Sequence, residues 1–178
     1  MSVTKIQSIP TKQMTEVTLD RLALRLEIEE FNARYCHALD DGNLQNWPDF
    51  FTEDGFYSIT ARENFDANLP VGLVYCEGRG MMKDRAFAIA NTAMFAPRYL
   101  RHHLSNTRVI KEHADGVIEA TANYIVLQVL HDDPVSTIHQ AGFYKDEFCR
   151  TETGTLLLQK RICVYENLMI PNAVVLPV

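Results

Sequence analysis

The sequence predicts an α+β cone, in which a curved antiparallel or mixed sheet wraps around a long amino-terminal helix and two shorter helices. Three observations carry that expectation. Leu19, Leu22, Leu26, Ile28, Phe31, Tyr35 and Leu39 recur at helical spacing and stop at Asp40-Asp41-Gly42. A short amphipathic segment then carries Leu44, Trp47, Phe50 and Phe51. Beyond Arg101 the chain is almost wholly β-rich, punctuated by Asp115-Gly116, Asp132-Asp133-Pro134 and Glu152-Thr153-Gly154, which are hairpin turn residues.

Residues 1–16 are polar and aperiodic and read as a loose arm, leaving 17–178 as a single α+β domain with an apolar tail. Thr18 can cap the long helix through its hydroxyl, although Arg21 stands where a capping box would have an acid. Asp54-Gly55 is read as the turn into a first strand, and a proline-punctuated loop leads to a second. A third helix is expected over about Gly80 to Thr92, with Met81, Met82, Ala86, Ile89 and Ala90 inward, closed by Pro97. Four long strands follow near 100–112, 117–131, 136–150 and 155–169. Between Asn123 and His131 both strand faces are apolar, with Ile125, Leu127 and Val129 on one and Tyr124, Val126 and Leu130 on the other. One face covers the helices. The other needs a second cover, which points to a partner subunit, the arm and the tail being the alternatives. The tail itself, NLMIPNAVVLPV from Asn167, holds two prolines and suits neither a helix nor a central strand, so it is either tucked in or gripped by a neighbour.

A length of 178 residues suits one domain, and the net charge of −6 disfavours nucleic acid, whose phosphates need clustered Lys and Arg. No run approaches the roughly 20 apolar residues of a membrane span, and no basic-then-apolar leader opens the chain. Cys36, Cys76, Cys149 and Cys163 are scattered without a CxxC pair, so free, mostly buried thiols in a reducing cytoplasm are expected.

Metal chemistry finds few ligands. A Rieske cluster needs two Cys/His pairs, whereas Cys36-His37 is the single adjacent pair and is helical. A mononuclear iron needs two His and a carboxylate on one side, but His102 and His103 are strand neighbours facing opposite ways, and His37 with Asp41 lacks a third ligand. No cofactor or metal is therefore expected on this chain. Gly78-Arg79-Gly80 is too short for a phosphate loop, and no GxSxG elbow is present. One catalytic arrangement survives: Asp40, Tyr57 and His103 could line an acid–base pocket, set against the plainer reading of a helix end, a strand tyrosine and a satisfied histidine. Arg98, Arg101, His102 and His103 form a small basic cluster, by default a solvated edge and otherwise a contact for an acidic partner surface.

The segments LEIEEFNARYCHALDDG, WPDFFTEDGFYSITARENFD, LVYCEGRGMMKDRAFAI and APRYLRHHLSNTRV, continued by ANYIVLQ, QAGFYKDEF and LLQKRICVYEN, resemble the small (beta) subunits of bacterial Rieske-type aromatic-ring-hydroxylating oxygenases. The NLPVGLVY and EGRGMM wording is most similar to small subunits paired with oxygenases acting on aromatic carboxylates such as salicylate or terephthalate. The resemblance implies a nuclear-transport-factor-2-like fold. It also implies a separate large (alpha) subunit carrying the 2Fe–2S Rieske cluster and the mononuclear Fe(II), with three large and three small subunits in the assembly. No family catalytic residue transfers to this chain. The expectation is a non-catalytic assembly subunit that stabilises its iron-bearing partner and also meets small-subunit neighbours. Its partner contacts are placed at Arg98, Arg101, His102 and Asn106 and along the tail at Leu168, Ile170 and Pro171. Two rivals remain: a stand-alone dehydratase or isomerase using Asp40, Tyr57 and His103 in a deep pocket, and a homo-oligomeric binding or scaffold protein.

Overall fold

The computed structural model describes residues 16–170 and 174–178. Its first element, α1, spans Glu16–Asp40, two residues ahead of the expected Thr18 start; the arm expected over 1–16 otherwise lies outside the described residues. A 3-10 helix, Leu44–Phe50, follows directly. Then come β1 (Phe51–Ala61), α2 (Arg62–Asp66), β2 (Val74–Glu77), α3 (Gly78–Asn91), β3 (Arg98–Glu112), β4 (Ile118–Leu130), β5 (Thr137–Arg150) and β6 (Leu156–Tyr165).

The strands form one six-stranded sheet in the order β2-β1-β6-β5-β4-β3. All neighbours pair antiparallel except β1 and β6, which run parallel. The three hairpin turns lie where the turn residues placed them, with Gly116 and Gly154 at φ +88° and +84°, a region that costs a β-carbon-bearing residue free energy. α2 was not foreseen, since five residues are too few to show a helical period.

Three local expectations need correcting. Asp54-Gly55 is no turn into a strand: β1 is already extended from Phe51, and the pair lies inside a register break between Phe51 and Phe56. A bulge bends the strand there, and it needs glycine, because a Cβ on Gly55 would sit 2.9 Å from that of Phe51. On α1, Leu19, Leu22 and Leu26 are exposed, and the core face is Leu24 together with the expected Ile28, Phe31, Tyr35 and Leu39. Both sets recur at three- and four-residue steps, so periodicity alone cannot choose between them. In α3 the buried residues are Met82, Ala86 and Ile89, whereas Met81 and Ala90 face out.

The core lies between the concave sheet face and the helices. Trp47 meets Tyr57 edge-to-face at 5.0 Å, and Phe31 meets Phe148 at 5.2 Å. Burying such rings stabilises the fold by about 2–3 kcal/mol each. The opposite sheet face is open among the described residues: Tyr99, Ile125 and Ile138 are exposed, and Leu127 and Val129 are half-buried beside them. The two-faced apolar strand read from the sequence thus shows its second face uncovered in the single chain.

Candidate functional site

A groove of about 450 Å³ runs between the last turns of α1 and the edge strand β3, with Asn32, Cys36, Asp40, His102 and Asn106 among its walls. Gly42, at φ +75°, terminates α1 just past Asp40, whose carboxylate reaches β3. Strand alternation turns Leu100 and His102 inward and Arg101 and His103 outward. Asp40 therefore meets His102. Its oxygens accept the His102 backbone N–H at 3.2 Å and lie 2.7 Å from Nδ1, with Arg101 Nη1 at 3.5 Å. Because a carboxylate only accepts, Nδ1 is the donating nitrogen of this contact. Nε2 is buried and has no partner among the described residues. A carboxylate-oriented imidazole is able, in its neutral form, to take a proton from a group placed beside Nε2.

Further polar groups sit deeper on the same inner face. His139 is the extra residue of a β5 bulge, where the pairing skips from Val126 with Gln140 to Leu127 with Ile138. The bulge buries its imidazole, and burial, with the nearby positive charges of Arg98 and His102, pulls its pKa down to about 4. Arg98 donates to Gln128 Oε1 at 2.8 Å, and Tyr124 OH donates to Gln140 Oε1 at 3.3 Å.

A second cluster is buried between α1, β5 and β6. Arg161, fully buried on β6, grips Asp146 of β5 through Nε at 2.9 Å and Nη2 at 2.7 Å, and Nη2 also reaches Asn32 Oδ1 at 2.6 Å. Its guanidinium lies 4.3 Å from the Tyr35 ring and 4.1 Å from the Tyr144 ring. Burial pushes the Asp146 carboxyl up, and the guanidinium pulls it back part of the way. Burial likewise raises the thiols of Cys163 and Cys36, the latter to about 12, so neither is a thiolate nucleophile at neutral pH. All four cysteines are free, and Cys149 alone is more than slightly exposed.

The residues singled out from sequence are placed as follows. Tyr57 is bonded to the Val178 main chain, Asp40 to His102 and Arg101, and His103 is exposed beside Ile125 of β4; no hydrogen bond joins the three. The imidazole facing Asp40 is that of the preceding residue, as strand alternation requires. Of the expected contact residues, Arg101 and Asn106 are exposed and Arg98 is half-buried. Asn106, at φ +57°, sits in a break in the β3–β4 register. His102 does not offer its side chain to a partner, because Asp40 holds it inside. In the tail, Leu168 and Met169 are 100% and 83% exposed, Ile170 is half-buried, and Pro171 lies outside the described residues. The end of the tail goes inward, and Val178 is fully buried.

Sequence reasoning missed Arg161, Asp146, His139 and Val178. Their one legible signal was Asp146 among inward Tyr144 and Phe148 on a strict alternation. Among the described residues no group of three or more His, Cys, Asp or Glu could hold a metal ion. No described helix is long and apolar enough to cross a membrane.

The SnoaL-like domain family matches residues 20–161. The anthranilate 1,2-dioxygenase small subunit of Burkholderia cepacia is 33% identical, over 85% of this chain and 92% of that protein. A terephthalate 1,2-dioxygenase terminal oxygenase β subunit from a Comamonas species is 30% identical, over 85% and 97%. Among solved structures, a β subunit assigned to an aromatic-ring-hydroxylating dioxygenase of Novosphingobium aromaticivorans superposes with a TM-score of 0.77 at 33% identity, covering 88% of this chain and 95% of that one. An open six-stranded cone with its helices on the concave face, matched nearly end to end by these proteins, places this chain in the SnoaL-like domain family, among the small subunits of aromatic-ring-hydroxylating dioxygenases.

Proposed function

We propose that this chain is the non-catalytic small subunit of the terminal oxygenase of a multicomponent aromatic-ring hydroxylase. In this reading it assembles with, and stabilises, a large subunit that carries the Rieske cluster and the mononuclear Fe(II), three copies of each making the complex. The carrying observation is the 33% identity to the anthranilate dioxygenase small subunit across 92% of its length. The substrate class in this reading is an aromatic carboxylate, because the relatives are named for anthranilate and terephthalate. Arg98, Arg101, Asn106, Leu168 and Ile170 provide contacts for the large subunit, and the uncovered apolar sheet face supports burial against a neighbour.

The test is affinity purification of the tagged chain from its host, followed by size-exclusion chromatography and iron analysis. Co-elution with a larger, iron-bearing polypeptide is expected, with Leu168→Asp/Met169→Asp weakening it at least tenfold. Recovery of an iron-free homo-oligomer alone would overturn the proposal. The Asp40–His102 contact favours a second reading, a dehydratase or isomerase using that pair. It requires turnover by the isolated chain that His102→Gln abolishes.

A further inference from the structure

We propose that the buried space between α1, the 3-10 helix, β1 and β6 is a binding chamber for a small carboxylic acid or amide with a branched apolar body, and that Val174–Val178 is its resident, displaceable ligand. The proposal stands apart from the assembly role and does not depend on it.

The bonding at Val178 is that of a ligand site. Tyr35 OH donates to the Val178 main-chain oxygen at 3.1 Å, Tyr57 OH donates to it at 3.2 Å, and Cys163 Sγ reaches it at 3.4 Å. Tyr57 OH in turn accepts the Val178 N–H at 2.9 Å, and Trp47 Nε1 donates to Tyr35 OH at 3.0 Å, which fixes the direction of the phenol's own proton. One oxygen thus receives donors from α1, β1 and β6. A neutral carbonyl has two lone pairs, so three convergent donors suit an oxygen with carboxylate character even better. The surrounding side chains, Tyr35, Trp47, Tyr57 and Cys163, are all 0% exposed. Arg161 Nη1 and Tyr144 OH, in the same core, have no partner among the described residues, so the interior holds polar atoms that Val178 leaves unused.

The occupant is held differently from its walls. Val174–Val178 belongs to no helix or strand, and its other main-chain anchor is Arg85 Nη2 on Val175 O at 3.0 Å. The walls belong to α1, the 3-10 helix, β1 and β6, each fixed by its own backbone hydrogen bonds and by aromatic contacts such as Trp47 with Phe51 at 6.1 Å. A segment outside the helices and strands, held among the described residues by side-chain hydrogen bonds and by the packing of its apolar side chains on the core, opens at lower free energy than the elements around it. The chain just upstream, at Leu168 and Met169, is already outside.

Amide exchange and thiol labelling on the full chain test the first half. The Val178 N–H is expected to exchange at least roughly 100-fold slower than an open amide, and Cys163 to stay unlabelled while Cys149 reacts. The second half uses a variant lacking Val174–Val178, probed with N-acetyl-valine and N-acetyl-valinamide. Cys163 should become reactive, and either probe should protect it and raise Tm saturably, whereas the full chain takes up neither. Preference for the acid identifies a carboxylate site, and equal binding a carbonyl site. An unprotected Val178 amide, or a shortened chain that folds but ignores both probes, would overturn the proposal. Should the shortened chain not fold, Tyr35→Phe/Tyr57→Phe keeps the aromatic volume and removes both phenol donors. Val178 exchange must then accelerate at least tenfold while Val126 exchange stays unchanged, and its failure to do so equally rejects the idea.

Discussion

Replacing Arg161 with methionine isolates the energetics of the buried cluster. The substitution keeps most of the volume and removes the cation that binds Asp146 through two nitrogens at 2.9 and 2.7 Å and Asn32 at 2.6 Å. It leaves a carboxylate with 1% side-chain exposure and no cation beside it. Breaking one side of such a pair costs about 3–5 kcal/mol, mostly the penalty of the stranded charge. The stacking on Tyr35 and Tyr144 adds about 1 kcal/mol at most, since that volume is refilled by the thioether. In a chain of this size each kcal/mol moves Tm by about 2–4 °C, so a fall of about 6–24 °C is expected by calorimetry. Arg161→Met/Asp146→Leu should recover most of that loss, because no buried charge remains. The sign with pH is also fixed. Without Arg161 the Asp146 carboxyl rises further above its unfolded value, so its penalty is full above the folded pKa and is relieved as pH falls from there toward the unfolded value. A single substitution costing under about 1 kcal/mol, or a double variant as unstable as the sum of the singles, would refute this account.

Three further outcomes are expected. His139, with its pKa pulled down from 6.5 to about 4, contributes stability present above pH 6.5 and lost as pH falls to about 4; His139→Gln should flatten the Tm–pH curve over that window by up to about 2–3 kcal/mol. Gly142→Ala should cost about 3 kcal/mol or more in urea unfolding, because its Cβ would sit 1.9 Å from Val164 O and 2.9 Å from Tyr165 Cα, both main-chain atoms of β6. Asp40→Asn should lower stability by about 2 kcal/mol and speed amide exchange at His102, whose N–H and Nδ1 both lean on that carboxylate.

Long periodic segments were legible in the sequence, and so was the general form of the sheet. The four last strands fall within a few residues of expectation, because turn residues bound them and their alternation is long. The bulges were not legible. Along LLLQKRICVY, counting by twos from inward Leu158 sends Arg161 to the solvent side, yet Gln159 is skipped between the Phe148–Leu158 and Glu147–Lys160 pairs, and the face flips. The same displacement at His139 buried a residue that alternation would have exposed. Chemistry at the site was half legible for the same reason. Asp40 was found from its place at a helix end, but its partner depended on the side of β3 that faces α1, and the sequence does not state which side that is. The tail was read as apolar and in need of cover. That it would divide, with Leu168 outside and Val178 within, depends on donors from three distant elements.

The parallel pairing of β1 with β6 has a consequence for biosynthesis. Phe51–Ala61 waits for Leu156–Tyr165, so a centre strand of the sheet cannot be hydrogen-bonded on both sides until nearly the whole chain has left the ribosome. At about 5–20 residues per second, the intervening stretch takes on the order of 5–20 s to synthesise. During that interval Tyr35 and Tyr57 lack the β6 wall of the core, which Arg161 and Cys163 supply. Such a chain is slow to fold and prone to aggregation while nascent, and its soluble yield is expected to rise with slower translation or lower temperature.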